Sequence, residues 1–309
     1  MNALLTELAP IAAHRVEQVA IPSRIAYRSG GITFGMFSDG DVSLELDEGI
    51  QPFEVAARDC DVTTEVSLVS QLSYPNQPPL FRSGGLWALF EEEQGYRFSF
   101  LRPFAGETPY KEAWFDAEFK TGRVLLSRKF FREEAATYPL EYPLDELMMI
   151  HRLSRGQGVE VHAVGIVDRD GRGHLFMGHS GAGKSTTARL WSRESGVHIL
   201  SDDRIVLRLE DGKIRMYGTP WHGDAGIASP DSATLSSIYF LEHGDSNKIR
   251  QISRNVAAAE LFARSFVPRH CREGLQFALS FLERVALEVP CHFYQFVPDR
   301  SAVEAIRGA

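Results

Sequence analysis

Cysteine is scarce: Cys60, Cys271 and Cys291 are the three in 309 residues. Odd in number, far apart and without metal-ligand spacing, they exclude a disulfide framework and a thiolate metal centre, and they fit a reducing compartment. No apolar run reaches the roughly 20 residues of a membrane span, so no membrane partner is expected. Near the start, Glu7 puts a carboxylate where a signal peptide carries cations, and the expectation is a cytoplasmic chain. Positive charge is in deficit, 33 Lys and Arg against 41 Asp and Glu, with no basic run or stripe, which argues against nucleic acid. Internal repeats and low-complexity segments are also missing. The remainder is ordinary globular material, long enough for two domains.

Apolar side chains at helical spacing over 3–20 (Leu4, Leu5, Leu8, Ile11, Ala12) predict an amphipathic helix that stops before Pro22. From there to about 129, short β-type runs at 25–28, 32–37, 42–46 and 62–69 are separated by Gly, Asp and Pro. Two hairpins stand out, 85–90 with 96–101 around an acidic turn, and 113–119 with 124–127 around 120–122. Trp87, Phe90, Tyr96, Phe98, Phe100 and Trp114 read either as a stacking surface or, more simply, as alternating core positions of a sheet. Pro139 and Pro143 mark the boundary between a β-rich region, 1–138, suited to substrate or partner recognition, and a second domain, 139–309. In the latter, helices are expected over 144–153, 186–195, 257–265, 273–288 and 302–307. Strands are expected at 159–167, 175–177, 197–200, 205–209, 214–217, 237–241 and 292–296.

Between a short strand and a helix stands Gly178-His179-Ser180-Gly181-Ala182-Gly183-Lys184-Ser185-Thr186, a complete Walker A loop. Glycines let successive N–H groups curl toward one anion, the helix start adds its positive end, Lys184 adds a full charge, and the Ser185 hydroxyl can ligate Mg²⁺. The tail of a nucleoside triphosphate is the ligand for such a loop. Asp202 and Asp203 end a strand eighteen residues beyond Lys184, and in a parallel sheet the ends of neighbouring strands meet at one edge. Two carboxylates there divide the work: one holds Mg²⁺ with Ser185, the other accepts the proton of an attacking hydroxyl. Alone, the pair would read as a solvated turn.

His162 to Asp168, the phosphate loop and the 200–204 segment together resemble the core of the HPr kinase/phosphorylase family, which belongs with the ATP-dependent phosphoenolpyruvate carboxykinases. The likeness is good over 144–217 and weak beyond. It implies an α/β (α+β) two-domain chain whose second domain is a P-loop fold with a mixed sheet, binding ATP on 181–186. It further implies Mg²⁺ on Ser185 and one aspartate of the pair, with Asp203 assigned here, the other aspartate as base, and His162 beside the transferred phosphoryl. Without the resemblance His162 is a structural histidine of an apolar strand. The family often forms hexamers or smaller rings, so a homo-oligomer is an expectation of the resemblance.

Two departures bear on substrate. The first half does not look like the domain that precedes the kinase in HPr kinases, and the family's Arg-Gly-Leu-Gly loop is replaced by residues 218–224. HPr is therefore not the expected acceptor, and Arg204 and Arg254 are the candidates to replace the missing arginine. Trp221 can stack on a sugar or polyol ring with His222 and Asp224 bonding its hydroxyls, or Trp221 can plug the core under a turn. A kinase for a small hydroxylated metabolite is the leading reading, a serine kinase for a protein or peptide the alternative, and a nucleotide-sensing binding module the third. A GTPase is disfavoured because Asn247-Lys248-Ile249-Arg250 has Arg where guanine recognition needs Asp, and the Leu-Ser-Gly-Gly-Gln signature of transport ATPases is absent.

Overall fold

The computed structural model describes residues 23–102, 108–132 and 135–308. The helix expected over 3–20 lies outside them. The first sheet has eight strands: β1 (Ser23–Ser29), β2 (Ile32–Ser38), β3 (Val62–Val69), β4 (Phe81–Ser83), β5 (Trp87–Glu92), β6 (Gly95–Phe100), β7 (Lys111–Asp116) and β8 (Thr121–Ser127), in the order β1-β2-β3-β8-β7-β6-β5-β4. β1 and β2 are joined by Gly30 and Gly31, both at positive φ, as a two-residue turn that follows strand twist requires. β3 pairs in parallel with β2 and β8, and its Val62, Thr64, Val66 and Leu68 alternate into the core. Phe90, Phe98 and Phe100 are buried, and Trp114 is sandwiched by the Arg97 and Arg123 guanidinium groups at 4.8 and 4.7 Å. These aromatics are core or covered, as the simpler account expects.

The strand expected at 42–46 does not form. Val42, Leu44 and Leu46 are buried, which explains their alternation. Their backbone is satisfied elsewhere: the N–H groups of Val42 and Leu44 donate to the Ser38 and Ser23 hydroxyls, leaving one bridge to Thr137.

The second sheet follows helix α1 (Leu144–Leu153). It contains β9 (Val159–Val167), β10 (Gly173–Met177), β11 (His198–Ser201), β12 (Arg204–Glu210), β13 (Lys213–Gly218), β14 (Ser232–His243), β15 (Lys248–Gln251), β16 (Ser265–Phe266) and β17 (Cys291–Phe296). Helices α2 (Lys184–Trp191) and α5 (Ser301–Arg307) cover one face, while α3 (Arg254–Ala263) and α4 (Arg272–Glu288) cover the other. β9 shows the two faces directly: Val159, Val161 and Ala163 enter the α3–α4 core, Val164 and Ile166 the α2–α5 core. The sheet is mixed, and here one expectation changes. β10 and β11 are not neighbours; both pair antiparallel with β9 at Ile166, on its opposite edges, and so run parallel to each other with β9 between them.

Helix α1 opens the second half of the sequence but packs with the first. Asp145 and Glu146 sit in its first turn and His151 and Arg152 in its last, in keeping with the helix dipole. Its Leu144, Met148, Met149 and Leu153 lie in the core of the first sheet, together with Val206 of β12 and Tyr217 of β13. The two sheets thus share buried surface. Met149→Ala should lower stability by about 2–5 kcal/mol, read as a shift of the urea unfolding midpoint, and an unshifted midpoint would show that α1 is not a packing element between the sheets.

Candidate active site

Residues 178–183 leave the end of β10 and run into α2 with Gly181 and Gly183 at φ 80° and 100°. A Cβ on Gly183 would stand 2.5 Å from the Phe296 ring, and one on Gly178 2.6 Å from the Ala182 methyl, so both positions need glycine. Lys184 is folded back over the loop. Its Nζ donates to the carbonyls of Gly178 (3.0 Å) and His179 (3.2 Å), and burial lowers its pKa.

Across β9 the chain bulges out of β11 and places the two aspartates, with the Ala163 N–H donating to the Asp203 carbonyl at 3.0 Å. The two carboxylates do different things. Asp202 is 2% exposed, and its oxygens accept the backbone N–H groups of Gly223 (3.0 Å), Ala225 (2.8 Å) and Ile227 (3.2 Å). It holds the 223–227 loop. Asp203 is paired with His162, Nε2 to Oδ1 at 2.8 Å, and with the Arg204 guanidinium. Burial pushes the Asp203 pKa up, but His162, Arg204 and Lys184 outweigh it and hold the carboxyl below the usual carboxylate range.

Behind Asp203, Arg204 also donates to Glu146 of α1 (2.6 Å), approaches Glu160 (3.5 Å) and lies 4.2 Å over the Phe266 ring. Glu160 is fully buried, and burial, then the nearby Glu146, raises its pKa well above the usual value. One guanidinium thus serves three carboxylates, those of Glu146, Glu160 and Asp203.

These groups frame a cavity of about 390 Å³, with Ser180, Gly181, Gly183, Lys184, Ser185 and Thr186 on one wall and His162, Asp202, Asp203, Gly223 and Asp224 on the other. Its rim at Gly181 and Asp224 is exposed. Ala182 packs toward the α2–α5 core instead. Trp221 and His222 do not line it: Trp221 packs half-buried against the core of the first sheet, and the exposed His222 ring bonds the Gly223 carbonyl. Arg204 is fully engaged behind Asp203, and Arg254 is exposed at the start of α3.

Sequence reasoning missed Arg264. Its Nη2 lies 3.0 Å from His179 Nε2 of the phosphate loop, its carbonyl accepts the His162 N–H at 2.8 Å, and its charge helps depress the Lys184 pKa. Eighty residues beyond Lys184 and in no motif, it carries no local signal. Among the described residues no group of three or more His, Cys, Asp or Glu is arranged to hold a metal, and no helix is long and apolar enough to cross a membrane.

No family model matches the chain, and no curated protein matches it. Among solved structures it is similar to the HPr(Ser) kinase/phosphatase from Coxiella burnetii, at 16% identity with a TM-score of 0.30, over 48% of this chain and 94% of that one. The likeness is distant.

Asp202→Asn should release the 223–227 loop, because an amide offers one acceptor oxygen where three N–H groups now donate. A loss of about 1–3 kcal/mol is expected, with faster hydrogen exchange at the amides of Gly223, Ala225 and Ile227; unchanged exchange there would refute the clamp.

Proposed function

We propose that this chain is an ATP- and Mg²⁺-dependent phosphotransferase that moves the γ-phosphoryl group to an alcohol. The observation that carries the reading is the single cavity with the Lys184 loop on one wall and the His162–Asp203 pair on the other. The loop N–H groups, the start of α2 and Lys184 bind the triphosphate, Lys184 exchanging its two carbonyl partners for phosphate oxygens. Ser185 lines this cavity, and its hydroxyl fits an ion that keeps several waters and takes few protein oxygens. Bound there, Mg²⁺ would neutralise charge on the phosphate oxygens.

Asp202 is spent on backbone N–H groups, so the general base falls to Asp203, which accepts the proton of the acceptor hydroxyl while His162 fixes its orientation. On this assignment Asp203 is the base, and not the Mg²⁺ ligand assigned to it from the sequence. The acceptor we assign is a serine hydroxyl on a peptide or protein. With Trp221 and His222 off the cavity, a sugar site keeps only Asp224, whereas the exposed rim admits a hydroxyl carried on a chain.

ADP production with Mg-ATP, screened against serine peptides, sugars and polyols, should rise with peptides; stimulation by sugars alone would overturn the acceptor class, and none with any acceptor would leave a nucleotide binder. Lys184→Ala should abolish turnover and weaken ATP binding. Asp203→Asn should keep Mg-ATP affinity and lose about two to four powers of ten in rate; if affinity falls equally, Asp203 holds the ion.

A further inference from the structure

Asp203 is held from both sides: His162 Nε2 lies 2.8 Å from its Oδ1, and Arg204 Nη1 is paired with its Oδ2. How strong a base it is depends on how firmly those groups hold it, because a cation on a carboxylate favours the form without a proton. Arg204 is not committed to Asp203 alone. Its Nε donates to Glu146 Oε1 at 2.6 Å, Glu160 Oε1 stands 3.5 Å from the same nitrogen, and the guanidinium lies 4.2 Å over the Phe266 ring. The Arg204 and Glu146 side chains are 16% and 8% exposed, so water screens their attraction little. Arg204 does not line the Lys184–Asp203 cavity, yet its charge reaches Lys184 and helps to lower the lysine pKa. Glu146 is fixed in turn. Its N–H donates to the Asp145 carboxylate at 2.7 Å, and its helix neighbours Leu144, Met148 and Met149 are buried in the core of the first sheet.

We infer that Glu146 is a positioning residue for phosphoryl transfer: by holding Arg204 Nε it draws the guanidinium away from the phosphates and limits its grip on Asp203. The inference rests on the phosphotransferase reading for its effect on rate, but not for its effect on nucleotide binding. Without a charge at Glu146, the anions left to Arg204 are Asp203, already paired with it, the arriving triphosphate, and Glu160, the longer contact whose pKa burial raises. Both consequences come from one move of the guanidinium. Nearer the cavity it adds positive charge to the nucleotide site, and nearer Asp203 it makes a weaker base. The first sheet lends no residue to the cavity lining; through α1 it sets the carboxylate that stands behind the base.

The test compares the full chain with Glu146→Gln, which keeps the shape of the side chain and removes its charge. A methylanthraniloyl ATP analogue with Mg²⁺ reads nucleotide affinity by fluorescence, and ADP production against serine peptides reads rate. Glu146→Gln should bind the analogue roughly threefold to tenfold more tightly and turn over about tenfold more slowly. Affinity and rate moving in opposite senses is not what a loss of packing gives. In an Arg204→Gln background the same substitution should change either quantity by at most about twofold, since the group it acts through is gone. Unchanged or weaker nucleotide binding, an unchanged rate in an active chain, or an equal effect in the Arg204→Gln background would overturn the inference. If the unaltered chain makes no ADP with any acceptor, the phosphotransferase reading fails and the affinity comparison alone decides the role of Glu146. Should Arg204→Gln fail to fold, the opposite signs of the two effects decide it.

Discussion

Everything at the candidate site depends on β9 being paired on both edges. A strand with one free edge could anchor either the phosphate loop or the acidic pair; β9 anchors both, because β10 and β11 run antiparallel to it from opposite sides. The side chain between them is His162, whose backbone is held by Arg204 on β12 and by the Arg264 carbonyl. Moving β9 by one residue would turn His162 to the other face of the sheet and leave Asp203 without its partner.

Electrostatics follow from that geometry. Around Asp203 stand Arg204, Lys184 and His162, and Arg264 contacts His179 of the loop. Such a cluster would repel itself without its anions, and Glu146, Asp203 and Glu260 supply them. Glu160, also beside Arg204, is the member whose pKa burial and the nearby Glu146 raise. The cavity lining itself carries Lys184 and the aspartates Asp202, Asp203 and Asp224, and the guanidinium groups of Arg204 and Arg264 stand outside that lining.

What was legible in the sequence was what is encoded locally. Helix α1 and strand β9 occupy the expected residues, both hairpins of the first sheet form, and the phosphate loop joins a strand to a helix, because each is written in contiguous periodicity or turn chemistry. The rest is set by distant partners. β15 is polar and exposed and becomes a strand only by pairing with β17, so its own residues carry no signal. Asp202 and Asp203 are adjacent and identical, and only the 223–227 loop separates their roles. Trp221 had two readings from its neighbours in sequence, and the core of the first sheet, built mostly from residues between Tyr27 and Leu153, takes it up.

Helix α1 carries a consequence for how the molecule comes apart. Its residues follow the proline-marked boundary, yet its apolar side completes the core on the other side of that boundary, alongside Val206 and Tyr217 from the second sheet. A protease cut near Pro139 would therefore not liberate two independent pieces. Each fragment would bare a strip of the same oily seam, and the pair would denature as one cooperative block rather than as beads on a string.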